Sequence, residues 1–479
     1  MRPIVQEIET IQTPESLAAT FGRGEGTVLL RTALFGSAHA RYSLVASRPF
    51  FTLRAFGSRC ELGSPETRGQ ALFGNPWRIL DRLMARYELL DEIDLPFPLG
   101  GCFGYWGYDL KNFVEPKLPR RAANDLELPD CQVGFYDSLA IFDHHLGKTW
   151  IVSTGLRPDG SRDQSYARRQ LAFWQSRLQI NTEAHASRFT LHASRFASPW
   201  VSSLDRASFI AAVDRAQRYI RAGDIYQVNL SQRLAVHWPR PGWEMYERLA
   251  AVSSAPFSAY LDCGDFQIAS SSPELFLRLS GAHILTRPIK GTRPRSSNPD
   301  RDAQLSDELR TSPKELAELV MITDLLRNDL GKVCEYGSVQ VPELVRLERY
   351  PQVQHLVSTI EGRLRPEVTH FAAFASCFPG GSITGAPKFR AMEIIDELEP
   401  VTRGPYTGAL GYLGFNRESQ LSILIRTAIC RDHTAYFSVG AGIVADSVAA
   451  AEYIETLDKA GGFLAALNLG LPKEQFQIA

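Results

Sequence analysis

Cysteine is sparse and unpaired in this chain: there are seven (Cys60, Cys102, Cys131, Cys263, Cys334, Cys377 and Cys430), an odd number with no CxxC spacing and no Cys/His pair at zinc-ligand spacing. That argues against a disulfide framework and a structural zinc site, and it suits a reducing, cytoplasmic compartment. Net charge is nearly absent too. The 52 Lys and Arg against 53 Asp and Glu leave −1, so no general attraction to nucleic acid or to an anionic membrane is expected. No apolar run reaches the roughly 18 residues of a membrane-crossing helix. The opening "MRPIVQEIETIQTP" has no apolar segment of the secretory type.

What is present is ordinary globular material, 44% hydrophobic and 22% charged. A length of 479 residues suggests about three domains or one large α/β unit. Residues 1–180 form a first half with alternating apolar stretches such as "RYSLVASRPFFTLRAF" (41–56) and "GFYDSLAIFDHHLGKTWIVST" (134–154), which predict antiparallel strands. "PWRILDRLMARYELL" (76–90) carries helical spacing. Residues 181–200 hold a tandem HASRF, at 185 and 192, and read as a linker insertion. Residues 201–470 form the second half. It opens with a helix from about 204, a turn at Gly223 and a strand.

Chemistry-bearing motifs crowd into that second half. "RPIKGTRPR" (287–295) sets a single lysine, Lys290, among three arginines, with Pro288 and Gly291 constraining the backbone. The residues alone leave it open whether Lys290 is a solvated charge or a nucleophile. "TSPKELAELVMITDLLRND" (311–329) predicts a helix starting at Ser312 and Pro313, with Glu315 and Glu318 on one face. A second ExxE, Glu452 and Glu455, lies in "DSVAAAEYIETLDKAGG". Carboxylate pairs of this kind suit a hard cation such as Mg²⁺. They equally fit a Ser312–Glu315 capping box and a Glu455–Lys459 ion pair.

"FPGGSITGAPKFRAMEII" (378–395) places glycines and hydroxyls before a helix, but GAPK is not the GK[ST] of a P-loop. "SVGAGIVADS" (438–447) predicts a second glycine turn, after a strand. Either turn could present backbone N–H groups to an anion. "GGCFGY" (100–105) imitates the nucleophile elbow of a glutamine amidotransferase. No histidine is followed two residues on by a glutamate, so Cys102 is read as a buried thiol.

Taken in order, "GDIYQVNLSQR", "SSSPELF", "PIKGTRPR", "ELVMITDLLRNDLGKVC", "HLVSTIEG", "PGGSITGAPKFRAMEIIDELEP", "YTGALGYLGF", "SILIRTAI" and "GAGIVADS…AEYIETLDKA" resemble the chorismate-utilising enzyme family over about 200–470. "RYSLVASRP" and "GGCFGYWGYDL" extend the resemblance toward the N-terminus. The resemblance implies an α+β fold, an α/β sandwich of two large antiparallel sheets packed face to face with helices outside. The two halves would then be parts of one body.

Within the family, members that aminate chorismate at C2 usually read PIAGT, and those that aminate it at C4 read PIKGT. Lys290 therefore implies a product of 4-amino-4-deoxychorismate, a precursor of 4-aminobenzoate and folate. Gln227 agrees, since members that add water tend to carry lysine there. By resemblance Lys290 attacks C2, and Arg287, Arg293 or Arg295 with burial would depress its pKa from about 10.4. Glu274 would be the acid/base and His355 would stand by the leaving hydroxyl. Tyr406, Arg426 and the backbone at Gly440, Ala441 and Gly442 would bind substrate carboxylates, with Ser382 and Lys459 as further contacts. Glu315, Glu318, Glu452 and Glu455 would hold Mg²⁺. A separate glutamine amidotransferase subunit would supply ammonia. Two alternatives stand beside this: amination at C2 for tryptophan synthesis, and a silent regulatory subunit that binds an aromatic amino acid. Against tryptophan binding, "VLLRTALFG" (28–36) replaces the LLES motif of feedback-inhibited members.

Overall fold

Strands that alternate inward and outward residues account for most of the architecture. In the computed structural model of the chain, Phe51–Phe56 alternates buried and half-buried positions along its length, whereas Gly101–Trp106, Cys131–Tyr136 and Ser138–Asp143 are buried throughout. Residues 2–22, 24, 26–32, 40–64, 68–89, 94–180, 200–253, 255–350 and 353–469 are described. The HASRF repeat lies outside them, as do residues 33–36.

The described strands form two twelve-stranded sheets whose ladders are antiparallel. Each sheet draws on both halves of the chain. In one, Val28–Arg31 pairs with Phe257–Asp262, and the order then continues through Gln267–Ser272, Thr427–Arg431 and Thr434–Ile443 to Gln227–His237. In the other, Gly101–Trp106 pairs with Ala409–Gly414, and the order ends at Val353–Arg363 and Ile289–Pro294. A core of Val28, Leu44, Ile141 and Ile268 from the first sheet and Leu53, Phe103, Tyr105 and Phe135 from the second fills the space between them. Leu29, Val45 and Phe437 face the other way, beneath Trp174, Met245 and Phe463 of the covering helices. Cys102 is fully buried in this core, and burial pushes its thiol well up, as expected of an inert side chain.

Two helices matter for the site. Pro313–Gly331 starts where Ser312 accepts the Glu315 N–H at 3.4 Å, and it buries Leu319, Ile322, Leu326 and Leu330. Ala449–Ala466 buries Tyr453, Leu457, Ala460, Phe463 and Leu464. The predicted glycine turn at 438–447 is not a turn through its glycines, because the strand Thr434–Ile443 runs straight through them. The glycines serve space instead. A Cβ on Gly440 would sit 2.8 Å from the Leu230 carbonyl and 3.0 Å from the Tyr406 hydroxyl. Among the described residues no helix is long and apolar enough to cross a membrane.

Candidate active site

A cavity of about 530 Å³ opens where both sheets and both ExxE helices meet. Its size is that of a small-molecule site. Its wall contains Lys290, Glu274, His355, Ser382, Tyr406, Arg426, Gly440, Gly442, Lys459, Glu315, Glu318 and Glu455, so sequence positions as far apart as 274 and 459 converge.

Three predicted residues stand behind the wall. Ala441 follows strand alternation onto the opposite face, where it packs with Ile394 and Leu457. Gln227 is fully buried with neither amide atom hydrogen-bonded, and its Nε2 lies 2.6 Å from where a Cβ on Gly442 would sit. Glu452 is buried, with Oε1 accepting from the Ser447 hydroxyl at 2.6 Å.

Lys290 owes its position to a β-bulge. In Ile289–Pro294 the pairing slips between Lys290, opposite Leu356, and Thr292, opposite His355. Gly291 supplies the extra residue at φ +67°, and a Cβ there would meet Leu309 at 2.6 Å. The slip turns Lys290 toward the helix Pro313–Gly331, where its Nζ is 3.6 Å from Glu318 Oε2. Thr292 Oγ1 lies 2.9 Å from His355 Nδ1. The three arginines expected beside the lysine are each engaged with a carboxylate. Arg287 binds Glu348 at 2.6 Å, Arg293 lies 3.5 Å from Glu315, and Arg295 binds Asp302 at 2.9 Å. Each guanidinium has its own carboxylate, and a carboxylate is what faces the amine.

Glu274 is buried, and that burial pushes its carboxyl up to about 7; the hydrogen bond from the Ser382 hydroxyl (2.6 Å) and the charge of Lys290 oppose the shift. Such a group can give or take a proton near neutral pH. Burial holds His355 down at about 4, so it is neutral in the working range. Arg426 is nearly enclosed and burial lowers its pKa. Its Nη1 donates to the Lys459 carbonyl at 2.8 Å, and among the described residues it has no carboxylate partner. A buried cation without an anion is a ready receptor for a substrate carboxylate.

The four ExxE carboxylates offer the oxygen donors a hard cation prefers, and Glu452 Oε2 is buried without a hydrogen-bond partner, as a ligand awaiting a cation would be. They are not gathered into a ready cage: among the described residues no three acidic, histidine or cysteine side chains converge on one point. Instead Glu318 faces Lys290, Glu315 faces Arg293, and Glu455 accepts from Lys459 at 2.7 Å. Of the capping box, the Ser312 half is present, while the Glu315 carboxylate is turned to the cavity.

Sequence reasoning missed Thr292, Lys314, Arg403 and Asp458, which also line the cavity. Arg403 donates to both oxygens of Glu399, to the Ile383 and Asn229 carbonyls and to Thr407, which pins the loop and strand on either side of the cavity. Its signal was faint: a Glu399–Arg403 pair at i,i+4 reads as a surface ion pair.

Comparison with known proteins identifies the family. The model of the chorismate binding enzyme family matches residues 32–465. The chain belongs to that family, and it is a chorismate-utilising enzyme. It is 41% identical to aminodeoxychorismate synthase component 1 of Klebsiella aerogenes, covering 92% of this chain and 93% of that one. It is 37% identical to anthranilate synthase component 1 of Acetivibrio thermocellus, covering 97% and 95%. The crystal structure of anthranilate synthase component I from Streptococcus pneumoniae TIGR4 superposes with a TM-score of 0.76 at 30% identity, covering 89% of this chain and 93% of that one.

Proposed function

We propose that the chain is the chorismate-aminating component of an aminodeoxychorismate synthase, converting chorismate and ammonia to 4-amino-4-deoxychorismate and water. The observation that carries this reading is a primary amine, Lys290, on the wall of the same cavity as the buried acid Glu274. The Lys290 amine adds at C2, both double bonds of the ring diene shift one position toward C4, and the C4 hydroxyl leaves as water with a proton from Glu274. Ammonia then adds at C4, the two double bonds shift back, the lysine is released from C2, and Glu274 recovers its proton from the new ammonium. Two displacements replace one difficult substitution. His355, neutral, would face the leaving hydroxyl, while Arg426 and Tyr406 would hold a carboxylate.

Glu315, Glu318, Glu452 and Glu455 would hold Mg²⁺, which when bound supplies positive charge against an anionic substrate. The relatives' designation as component 1 supports a second subunit, here a glutamine amidotransferase delivering ammonia. Seven buried, free cysteines suit a cytoplasmic protein.

A second reading, anthranilate synthase component I, adds ammonia at C2 and expels pyruvate; comparable identity to anthranilate synthases favours it. Product analysis of the purified chain with chorismate, Mg²⁺ and an ammonium salt at alkaline pH separates the two. 4-Amino-4-deoxychorismate as the main product is expected. Anthranilate as the main product would overturn the proposal, and no turnover with either outcome would favour a regulatory subunit.

A further inference from the structure

The lysine of the GAPK stretch does not face an anion site. Lys388 is not on the cavity wall, and its side chain is largely enclosed. An ammonium has three donors, and all of them are used: Nζ is bonded to Asp329 Oδ2, to the Pro379 carbonyl at 2.8 Å and to the Cys377 carbonyl at 3.1 Å. Asp329 is buried near the end of the helix Pro313–Gly331. Cys377 ends the helix His370–Cys377. One side chain therefore ties both ends of the 379–388 loop to the helix that carries Glu315 and Glu318.

At the middle of that loop is Ser382. Its hydroxyl bonds Glu274, and its carbonyl accepts from Asn229 Nδ2 at 2.9 Å. Gly381 packs against the same helix, where a Cβ would meet the Leu325 side chain at 2.6 Å. We propose that Lys388 is a positioning residue for proton transfer at Glu274: it closes the loop on Asp329 and so holds the Ser382 hydroxyl against the carboxylate. This rests on the reading of Glu274 as the proton-transfer group. Lysine suits the task because its three donors radiate from one atom toward three separate acceptors, which a planar guanidinium cannot reproduce.

The test is the pH dependence of chorismate turnover with ammonium, followed for the wild type and for Lys388→Met, Asp329→Asn, Ser382→Ala and Glu274→Gln. The Ser382 bond and the Lys290 charge both favour ionised Glu274. Losing the first moves the limb that belongs to Glu274 upward by about one pH unit. Lys388→Met and Ser382→Ala should share that upward shift, with kcat lowered about tenfold or more; in Lys388→Met, whose site lies off the cavity wall, KM for chorismate should stay within about twofold. A residue that merely stabilised the fold would lower active enzyme without moving the limb. If Lys388→Met does not fold, Asp329→Asn, which keeps the shape and removes the charge, must show the same shift. Wild-type limbs in both Lys388→Met and Asp329→Asn, alongside a shifted Ser382→Ala, overturn the positioning role alone. A limb that survives in Glu274→Gln overturns the premise, and locates the failure in the reading of Glu274.

Discussion

The Lys290 amine faces the Glu318 carboxylate at 3.6 Å, while Arg287, Arg293 and Arg295 around it are each matched to other carboxylates. The cationic run that drew attention in the sequence is thus electrically divided: Lys290 and Arg293 line the cavity beside Glu318 and Glu315, while Arg287 and Arg295 bind Glu348 and Asp302 off its wall. If the amine is the nucleophile, Lys290→Ala lowers formation of 4-amino-4-deoxychorismate by at least about 10³-fold. Chromatography of the products should show any residual amination shifting toward anthranilate. Unchanged C4 amination in the variant would remove the lysine from the mechanism.

Gly291 is required twice over, by φ +67° and by the 2.6 Å approach of Leu309 to any added Cβ; Glu315 Oε2 would be 3.0 Å away. Gly291→Ala should cost about 1–3 kcal/mol of stability in urea unfolding. It should also lower kcat more than it raises KM, because the bulge aims Lys290 and not the carboxylate contacts. Wild-type stability would mean that the bulge relaxes freely.

Much of this was legible in the sequence because it rests on local pattern. The helices from Pro76, Arg206 and Pro313 begin where capping residues and proline announce them. The strands follow period-2 alternation, and twelve predicted site residues reach one cavity. Three features were not legible, each for a physical reason. The glycines of "SVGAGIV" looked like a turn because composition does not distinguish a glycine needed for φ from one needed for close approach, as Gly440 is beneath Tyr406. The partners of the arginines depend on Glu348 and Asp302, at long and short range, and charge content in a nine-residue window does not contain them. Lys388 carried no signal in the sequence, since its three acceptors come from separate segments.

Arg426 combines burial, a left-handed backbone (φ +53°) and no carboxylate partner among the described residues. Free of substrate, this is a cost to the fold. Arg426→Gln should therefore leave stability unchanged or raise the thermal midpoint, while raising KM for chorismate by roughly 30-fold or more, the loss of a buried charge contact. Differential scanning calorimetry and steady-state kinetics read the two effects separately. A fall in stability with an unchanged KM would make Arg426 a structural residue only.

Asp137, far from the cavity residues in sequence and fully enclosed between the strands Cys131–Tyr136 and Ser138–Asp143, is a buried acid with Oδ2 unpartnered. Burial pushes its carboxyl up from 3.8 to about 7, against the opposing charge of Arg48 and the hydrogen bond of Ser138. Since the folded value lies above the unfolded one, the folded protein holds a proton that the unfolded chain has lost between those two pH values. Its contribution is therefore most favourable below about pH 3.8, falls as pH rises through the window, and is flat above about 7. Asp137→Asn cannot ionise. Relative to the wild type, the variant should gain roughly 3–4 kcal/mol of stability between pH 4.5 and pH 8, measured as the difference between their urea unfolding curves at each pH. A difference that does not change with pH would mean that Asp137 stays charged inside the fold and has found a cation or water to compensate it.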